Sequence, residues 1–525
     1  MNSPCNFVNV SCQHQVNSPF SILNSPFSIL NSLMSIRKLA GETVIYGVSS
    51  ILTRVLNFLI LTPFLTYNFL RADYAIINEL FTYAGLLTIL FTYRMETTFF
   101  RFGSKEDTVE RAYSTAVISL LISTFVFAFV LLSFSAALAN WLGYPDNTEF
   151  IQLIVIIVSF DALMAIPFAR LRLENRPIRF ATLKILHVII NLVLIFFFLK
   201  FCPIWIEQGA TFLESIYDPT NRIQYVFFAN LLDSVFIFLL LLPSYWKVQW
   251  SFDFRYWKNM FWYALPLVVV GIAGVINNLG AIPLLTHLGI ESVEGNRDST
   301  GVYSATIKLA VFMNLFTQAF NYAAEPFFFR HSKEKGSREM YGQVGLLFTI
   351  VGSIAFLGIM LYIEVIQLFL GPDFRSGVEI VPILLIANLL LGIYYNFSIW
   401  FKLADKTIWG AYISTGGALI TILTNVALIA KYGYLASAWA TFACYAFMVI
   451  VCYLSGRRFY PIPYPIGRML TMIAIAIGFY MISNVGRAWM GDNLVVLLGI
   501  NTLLLLVYLG IVYLLEGKAI RAAIR

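Results

Sequence analysis

Long apolar runs separated by short polar loops make up most of the chain. Fourteen runs of 18 or more mostly apolar residues follow one another, the first at residues 43–66 and the last at residues 494–515. At about 1.5 Å per residue, each run is long enough to cross about 30 Å of hydrocarbon as an α-helix. The pattern predicts an all-α integral membrane protein with 14 transmembrane helices, numbered here in chain order.

Two parts of this pattern resemble each other. The string TRVLNFLILTPFLT at residues 53–66 returns as AGVINNLGAIPLLT at residues 273–286, with Val, Asn, Leu, Pro, Leu and Thr in matching places. A second string, ETTFFR at residues 96–101, returns as EPFFFR at residues 325–330. The repeat predicts two pseudo-symmetric six-helix lobes around a central cavity, followed by two C-terminal helices. In duplicated transporters such a cavity holds the substrate near the middle of the membrane.

The phase of the repeat divides the chain into segments. We expect an N-lobe of helices 1–6 at residues 34–260, a C-lobe of helices 7–12 at residues 261–468, and helices 13 and 14 with a cytoplasmic tail at residues 469–525. Residues 1–33 contain NSPFSIL twice, at 17–23 and 24–30. They lack the basic region and continuous apolar stretch of a signal peptide. We therefore expect a disordered or mis-annotated leader, with translation starting at Met34.

Composition and charge agree with a membrane protein. The chain is 59% hydrophobic and only 12% charged, which is more apolar side chain than a soluble core can bury. Most of its 35 Lys and Arg residues fall in the loops on the side of both termini, so that side is predicted to be cytoplasmic. This distribution accounts for the net charge of +7 without nucleic acid. A multi-pass protein of the inner membrane is expected, and the scattered cysteines predict no metal site or cofactor.

A few polar residues inside the predicted helices are candidates for binding a substrate. An ionisable group in the bilayer is costly unless it has a partner, a water-filled cavity or a function. Arg54 lies near the middle of helix 1 and Lys308 lies in helix 8. A guanidinium can chelate phosphate oxygens and an ammonium supplies a point charge, so both suit an anionic headgroup. Asn57, one turn after Arg54, and the repeat positions Asn277 and Asn278 would extend the polar surface.

Glu79 of helix 2 and Lys308 of helix 8 occupy equivalent places in the repeat, near the outer ends of their helices. Their opposite charges predict an ion pair that closes the outer side of the cavity, with a Glu79–Arg54 pair within the N-lobe as the alternative. Pro63 and Pro283 match in the repeat and predict hinges for alternating access, although a proline near a helix end is also tolerated in lipid.

Two further pairs of acidic and basic positions have candidate roles. Glu96 and Arg101 in helix 2, and Glu325 and Arg330 in helix 8, lie at the cytoplasmic ends and predict an inner latch between the lobes.

In helices 4 and 6, Asp161 and Asp233 lie near the middle of the membrane. They either neutralise the embedded cations or exchange a proton or sodium ion that drives transport.

The string KLAGETVIYGVSSILTRVLNFLILTPFLTYNFLRADYAIINE at residues 38–79 resembles the opening of polysaccharide flippases of the multidrug/oligosaccharidyl-lipid/polysaccharide (MOP) exporter superfamily. One departure is the loop after helix 1, where Ala75 follows Tyr74 in place of the usual Gly and Arg71 is displaced. The resemblance implies two six-helix lobes around a cavity, with two extra helices in the lipid II flippase branch. It also implies an undecaprenyl-diphosphate-linked oligosaccharide as cargo, flipped to the outer leaflet for O-antigen or polysaccharide synthesis. Membrane lipid and polysaccharide assembly proteins are the other expected partners.

Two other functions compete with this interpretation. A proton- or sodium-coupled multidrug exporter is favoured by Asp161 and Asp233. A membrane enzyme such as a polysaccharide polymerase or ligase needs a sizeable outer loop with acidic, Arg or His chemistry. The longest predicted outer segment, residues 200–222, is short and has no such cluster. We therefore expect a transporter and not an enzyme.

Overall fold

The computed structural model describes residues 51–104, 108–214, 217–332, 334, 336–490 and 493–524. All regular elements in these ranges are helical, so the all-α prediction is confirmed. The expected leader at residues 1–33 and the expected start at Met34 lie outside the described residues.

The described chain forms 14 long helical segments, some of them interrupted. In chain order they are α1 at residues 51–68, α2 Arg71–Phe102, α3 Val109–Ser133, α4 Thr148–Leu173, α5 Pro177–Glu207, α6 Arg222–Lys247, α7 Phe254–Leu279 continued by Ala281–Leu288, α8 Val293–Arg330, α9 Ser337–Leu361, α10 Pro372–Leu403, α11 Ile408–Tyr432, α12 Tyr434–Phe459, α13 Ile466–Met490 and α14 Leu494–Ile524. By length and composition, 12 helices in the described residues can cross a membrane, and α1 and α8 are not among them. A multi-pass membrane protein is thus supported, while the full count of 14 spans stays a prediction.

Helices α1 and α7 are interrupted at corresponding places. In α1 a π-helical segment, Asn57–Leu61, precedes the last α-helical segment, Thr62–Asn68, whereas α7 breaks at Gly280. Pro63 and Pro283 lie in the first turns of the segments that follow these breaks. Proline is tolerated there because its missing N–H has no acceptor to lose in a first turn. The proposed hinges therefore coincide with helix irregularities, and their movement stays a prediction.

The lobes are packed together mainly through α2 of the N-lobe and α8 of the C-lobe. Gly301 of α8 lies against the backbone of α2, and a Cβ added there would be 2.0 Å from the carbonyl oxygen of Arg71. Only glycine allows this approach. The largest buried apolar cluster is centred on the C-lobe and includes Phe348, Leu385 and Trp400. Helices α13 and α14 pack on α9. Arg487 of α13 forms an ion pair with Glu364, which follows the end of α9, with 3.0 Å between Nη1 and Oε1.

Candidate transport cavity

A cavity of about 420 Å³ lies between the lobes, with walls from α1, α2, α5, α6 and α8. Its lining includes both predicted substrate-binding cations, Arg54 and Lys308, and the predicted Asn57. Three further asparagines of the N-lobe, Asn78, Asn191 and Asn230, share the same wall. The cavity thus brings two cations and four amides into one space near the middle of the bundle.

Arg54 crosses the cavity to the other lobe. Its exposed guanidinium Nη1 donates a hydrogen bond to Oε1 of Gln318 in α8. Gln318 is neutral, and within the described residues Arg54 has no carboxylate partner. The positive charge of Arg54 is therefore available to an anion in the cavity.

Lys308 lies between the main cavity and a second pocket. This C-lobe pocket, of about 110 Å³, is also lined by Asn278, Asn314, Asn388 and Tyr445. Lys308 is half-buried, and its ammonium makes no ion pair or hydrogen bond with any residue that the structure describes. An unpaired buried ammonium is costly, so this position is suited to an anionic ligand or to water.

The two asparagines of the α7 repeat point in different directions. Asn278 borders the C-lobe pocket, and its Oδ1 accepts a hydrogen bond from the Tyr445 hydroxyl at 3.0 Å. Asn277 is buried within the C-lobe, where its Nδ2 donates to the Ser414 carbonyl at 3.1 Å. The assignment of Asn277 to substrate binding is therefore wrong, because its side chain packs on α11 and does not line either pocket.

Glu79 has neither of the two ion-pair partners predicted for it. The carboxylate is fully buried, and its Oε1 lies 2.9 Å from Nε2 of His287 in α7. The Tyr83 hydroxyl donates to the same oxygen at 3.0 Å, and the Tyr144 hydroxyl donates to Oε2 at 2.7 Å. The Glu79–Lys308 gate and the Glu79–Arg54 alternative are thus wrong in this structure. The inter-lobe contact of Glu79 is instead made through a histidine.

Other inter-lobe contacts surround this pair. Arg297 of α8 donates to the carbonyl of Gly143 at 2.7 Å, and its guanidinium lies 4.6 Å from the ring centroid of Tyr144. Gly143 has φ +78°, and a Cβ there would lie 3.1 Å from the Val293 side chain. We call this region, around the loops that contain Phe69, Gly143 and Gly289, the closed end of the cavity. By the charge distribution it is the predicted outer end.

Helix α1 adds a second set of contacts at the closed end. The Tyr67 hydroxyl donates to the Leu368 carbonyl at 2.8 Å and accepts from Nη2 of Arg375 at 3.0 Å. The amide of Gly371 donates to Oγ1 of Thr66 at 3.1 Å. Leu368 and Gly371 lie between α9 and α10, and Arg375 lies in the first turns of α10, so α1 contacts the C-lobe directly.

Tyr67 and His287 are two of the residues that sequence reasoning missed at this end. Each immediately follows the repeated string, which ends at Thr66 in one lobe and Thr286 in the other. Each also contacts the opposite lobe. Extending the repeat by one residue would have drawn attention to both positions, although their different side chains hide the relationship.

The predicted inner latch is not formed by its own acids and bases. Glu96 lies 3.6 Å from Arg94 in the same helix, and Glu325 lies 2.8 Å from Lys402 of the same lobe. Arg101 does reach α7, where its guanidinium lies 4.2 Å from the ring centroid of Tyr263. The side chain of Arg330 lies outside the described residues. A latch that joins the lobes through Glu96 and Glu325 is therefore wrong in this structure.

Asp161 and Asp233 belong to one ionisable cluster inside the N-lobe. Oδ2 of the buried Asp233 lies 2.9 Å from Nδ1 of His187 in α5, and Oδ1 of Asp161 accepts from the Ser234 hydroxyl at 3.0 Å. Lys184, one turn before His187, lies over the Phe168 ring at 4.2 Å from its centroid. The carboxylates thus face groups within their own lobe.

Polar residues connect this cluster with the main cavity. Asn191 follows His187 by one turn of α5, and Asn230 precedes Asp233 by about one turn of α6. Both asparagines line the cavity. Nδ2 of Asn191 is buried and has no hydrogen-bond acceptor in the described part of the chain. The arrangement places protonatable groups one helical turn behind the cavity wall.

Comparison with known proteins gives similarity of structure only. No family model matches the sequence, and no curated protein matches it. A solved structure of the lipid II flippase MurJ in an inward closed conformation superposes with a TM-score of 0.69 at 15% identity, covering 92% of this chain and all of that one. An inward-facing MATE-family multidrug resistance transporter of the MOP superfamily gives 0.60 at 12% identity, covering 80% of this chain and 95% of that one. The chain therefore has the fold of these two transporters.

Proposed function

We propose that this protein is a membrane transporter that flips an undecaprenyl-diphosphate-linked oligosaccharide from the cytoplasmic to the outer leaflet by alternating access. The cargo would serve polysaccharide or O-antigen synthesis, with polysaccharide assembly proteins as partners. The observation that carries the proposal is that Arg54 and Lys308, from different lobes, line one cavity and lack carboxylate partners among the described residues. A diphosphate is the anion that two separated cations suit best.

The second pocket gives the sugar a place beside the diphosphate. Lys308 borders both spaces, so a phosphate bound to it would have the next group of the cargo in the C-lobe pocket. Asn278, Asn314, Asn388 and Thr441 supply amides and a hydroxyl there. Such groups match the donors and acceptors of sugar hydroxyls. The lipid tail would remain outside the cavity, in the hydrocarbon of the membrane.

The closed end supports alternating access. Contacts of Glu79 with His287 and of Tyr67 with Leu368 join the lobes on the predicted outer side. Opening to the outer leaflet requires their rupture, while the helix breaks beside Pro63 and Pro283 supply flexible points. Both termini would lie in the cytoplasm and the protein in the inner membrane. Reporter fusions at residues 145 and 525 test this, with an outside signal expected only at the first.

Reconstitution tests the function directly. Vesicles that contain the protein and a fluorescent undecaprenyl-diphosphate sugar should show transfer of the label to the opposite leaflet, detected by a membrane-impermeant quencher. Arg54→Gln and Lys308→Gln should each reduce the rate at least about tenfold, since each removes a charged hydrogen bond worth about 1.5–3 kcal/mol. Arg457→Gln, at the end of α12, is the matched control and should leave the rate unchanged. Equal rates in all three variants would refute the proposal.

A proton- or sodium-coupled multidrug exporter is the second candidate. The cluster of Asp161, Lys184, His187 and Asp233 favours it, because buried ionisable groups near a cavity can exchange an ion. The same cluster could drive a flippase. Vesicles with an imposed pH or sodium gradient distinguish the cargo: gradient-driven accumulation of a cationic dye, without transfer of the diphosphate lipid, would favour the exporter.

A further inference from the structure

A charged pocket lies in the N-lobe at the end opposite the closed end. It has a volume of about 110 Å³ and is formed where α4 ends, α5 begins and α6 ends. Its charged lining consists of Arg170, Glu174, Arg176, Arg179 and Lys247. None of its lining residues lines the central cavity, so its chemistry needs a separate explanation.

The buried Arg170 is fully occupied by protein groups. Its guanidinium makes two hydrogen bonds to the Glu110 carboxylate, at 3.1 Å from Nη1 and 2.5 Å from Nη2. Its Nε donates to Oε1 of Glu174 at 2.6 Å. Arg170 therefore holds the pocket together and has little capacity left for a ligand.

Arg176 and Lys247 share a single acid, Glu174, with Arg170. Glu174 Oε2 lies 3.0 Å from Nε of Arg176, and Glu174 Oε1 lies 3.6 Å from Nζ of Lys247. Partial burial opposes ionisation of Glu174, but hydrogen bonding and charge from Arg170, with the charges of Lys247 and Arg176, lower its pKa below the ordinary value. Glu174 is thus an anion at neutral pH, and it is already divided among three cations.

Arg179 adds a cation with no acid at all. It is exposed, and the structure describes no hydrogen bond or ion pair for it. Arg176 is the N-cap of α5, and Arg179 lies in its first turn, where the helix dipole also contributes positive charge. Basic residues at a helix N-terminus are unfavourable on their own account. The site therefore has an excess of positive potential that an external anion would relieve.

Apolar residues line the pocket, and two exposed apolar side chains lie next to its lining residues in the sequence. Pro167, Leu171 and Pro243 form part of its lining. Beside it, Ile178 and Trp246 are 72% and 82% exposed. Exposed tryptophans at the ends of membrane helices lie at the level of the lipid headgroups. An anion that arrives here on a lipid would thus meet cations and apolar side chains together.

We propose that this pocket binds the phosphate of an anionic phospholipid headgroup, with Arg176, Arg179 and Lys247 as its ligands. The glycerol and first acyl carbons would contact the exposed Ile178 and Trp246. Basic pockets between helix ends on the cytoplasmic side of membrane proteins bind headgroups in this way. The inference does not depend on the cargo of the central cavity.

Native mass spectrometry of the full chain, with phosphatidylglycerol and phosphatidylcholine added in equal amounts, tests the site. Phosphatidylglycerol should be retained preferentially, and Arg176→Gln with Arg179→Gln should reduce its retention about tenfold or more. The matched control is Arg457→Gln with Arg458→Gln, two cations at the same end of α12. This control should retain the lipid within about twofold of the unmodified chain.

Two results would overturn the proposal: equal retention by both double variants, or displacement of the lipid by inorganic phosphate at a similar concentration. The second result would assign the site to free phosphate. If the first double variant unfolds, as judged from its melting curve without lipid, Lys247→Gln replaces it and the same loss of retention is expected.

Discussion

The carboxylate of Glu79 and the imidazole of His287 form a hydrogen-bonded pair between the lobes, with 2.9 Å between Oε1 and Nε2. Glu79 also accepts from the hydroxyls of Tyr83 and Tyr144, both of its own lobe. The buried carboxylate is therefore held in place from the N-lobe and presented to α7. Removal of the histidine donor should weaken the closed end without displacing Glu79.

His287→Phe should make the cavity more accessible from the closed end. Phenylalanine keeps an aromatic ring at this position, but the lobes lose a hydrogen bond to a carboxylate, worth about 1.5–3 kcal/mol. A cysteine introduced at Asn57, in an otherwise cysteine-free chain, should then react about tenfold faster with an impermeant reagent added on the outer side. His331→Phe, far from this end, is the control. Unchanged labelling in both variants would show that the pair does not contribute to closure.

Gly301→Ala should destabilise the packing of α8 on α2. The added Cβ would lie 2.0 Å from the carbonyl oxygen of Arg71, and backbone atoms cannot move aside cheaply. Overpacking of this kind costs about 1–3 kcal/mol. The comparison is Gly358→Ala in α9, where no atom lies within 4 Å of the added Cβ. A melting curve in detergent should show a lower midpoint for the first variant only, and the reverse order would contradict the described contact.

Asn314→Leu with Asn388→Leu should affect recognition of the sugar and not of the diphosphate. Both amides line the C-lobe pocket, and Asn314 makes no hydrogen bond within the described residues. Loss of two neutral hydrogen bonds should raise KM for the oligosaccharide lipid about fivefold to tenfold. Undecaprenyl diphosphate without sugar, measured in the same vesicles, serves as the internal control. An equal rise in KM for both lipids would place the sugar elsewhere.

Asp233→Asn should uncouple transport from an imposed ion gradient. The amide keeps the size of the side chain but removes the charge that faces His187 at 2.9 Å. We expect the stimulation of transport by a pH or sodium gradient to fall at least about fivefold, while exchange without a gradient continues. Asp253→Asn, at the half-buried N-cap of α7, tests a carboxylate outside the cluster. A full response in Asp233→Asn would restrict this aspartate to a structural role.

The sequence predicts much of the architecture. Long apolar runs predict the membrane helices, because a helix must be long and apolar to cross a bilayer, and the internal repeat predicts two lobes. Arg54 and Lys308 were predictable for the same reason, since a charge inside an apolar helix requires an aqueous space. The two residues do line one cavity. Their place on one cavity wall agrees with this expectation, and their role in binding stays a prediction.

The direction in which each side chain points was not predictable in the same way. Glu79 and Lys308 match in the repeat, but symmetry-related positions meet only if both lie close to the symmetry axis. Glu79 instead points at α7, where three donors satisfy its charge locally. Asn277 fails likewise, because a rotation of one residue along α7 separates the pocket-lining Asn278 from a buried neighbour.

Tyr67 and His287 hold the lobes together at the closed end through two different contacts, from matching positions of the repeat. The Tyr67 hydroxyl hydrogen-bonds to a backbone carbonyl and to an arginine, whereas the His287 imidazole hydrogen-bonds to a buried carboxylate. A mutation at either position can therefore weaken one contact between the lobes and leave the other contact in place.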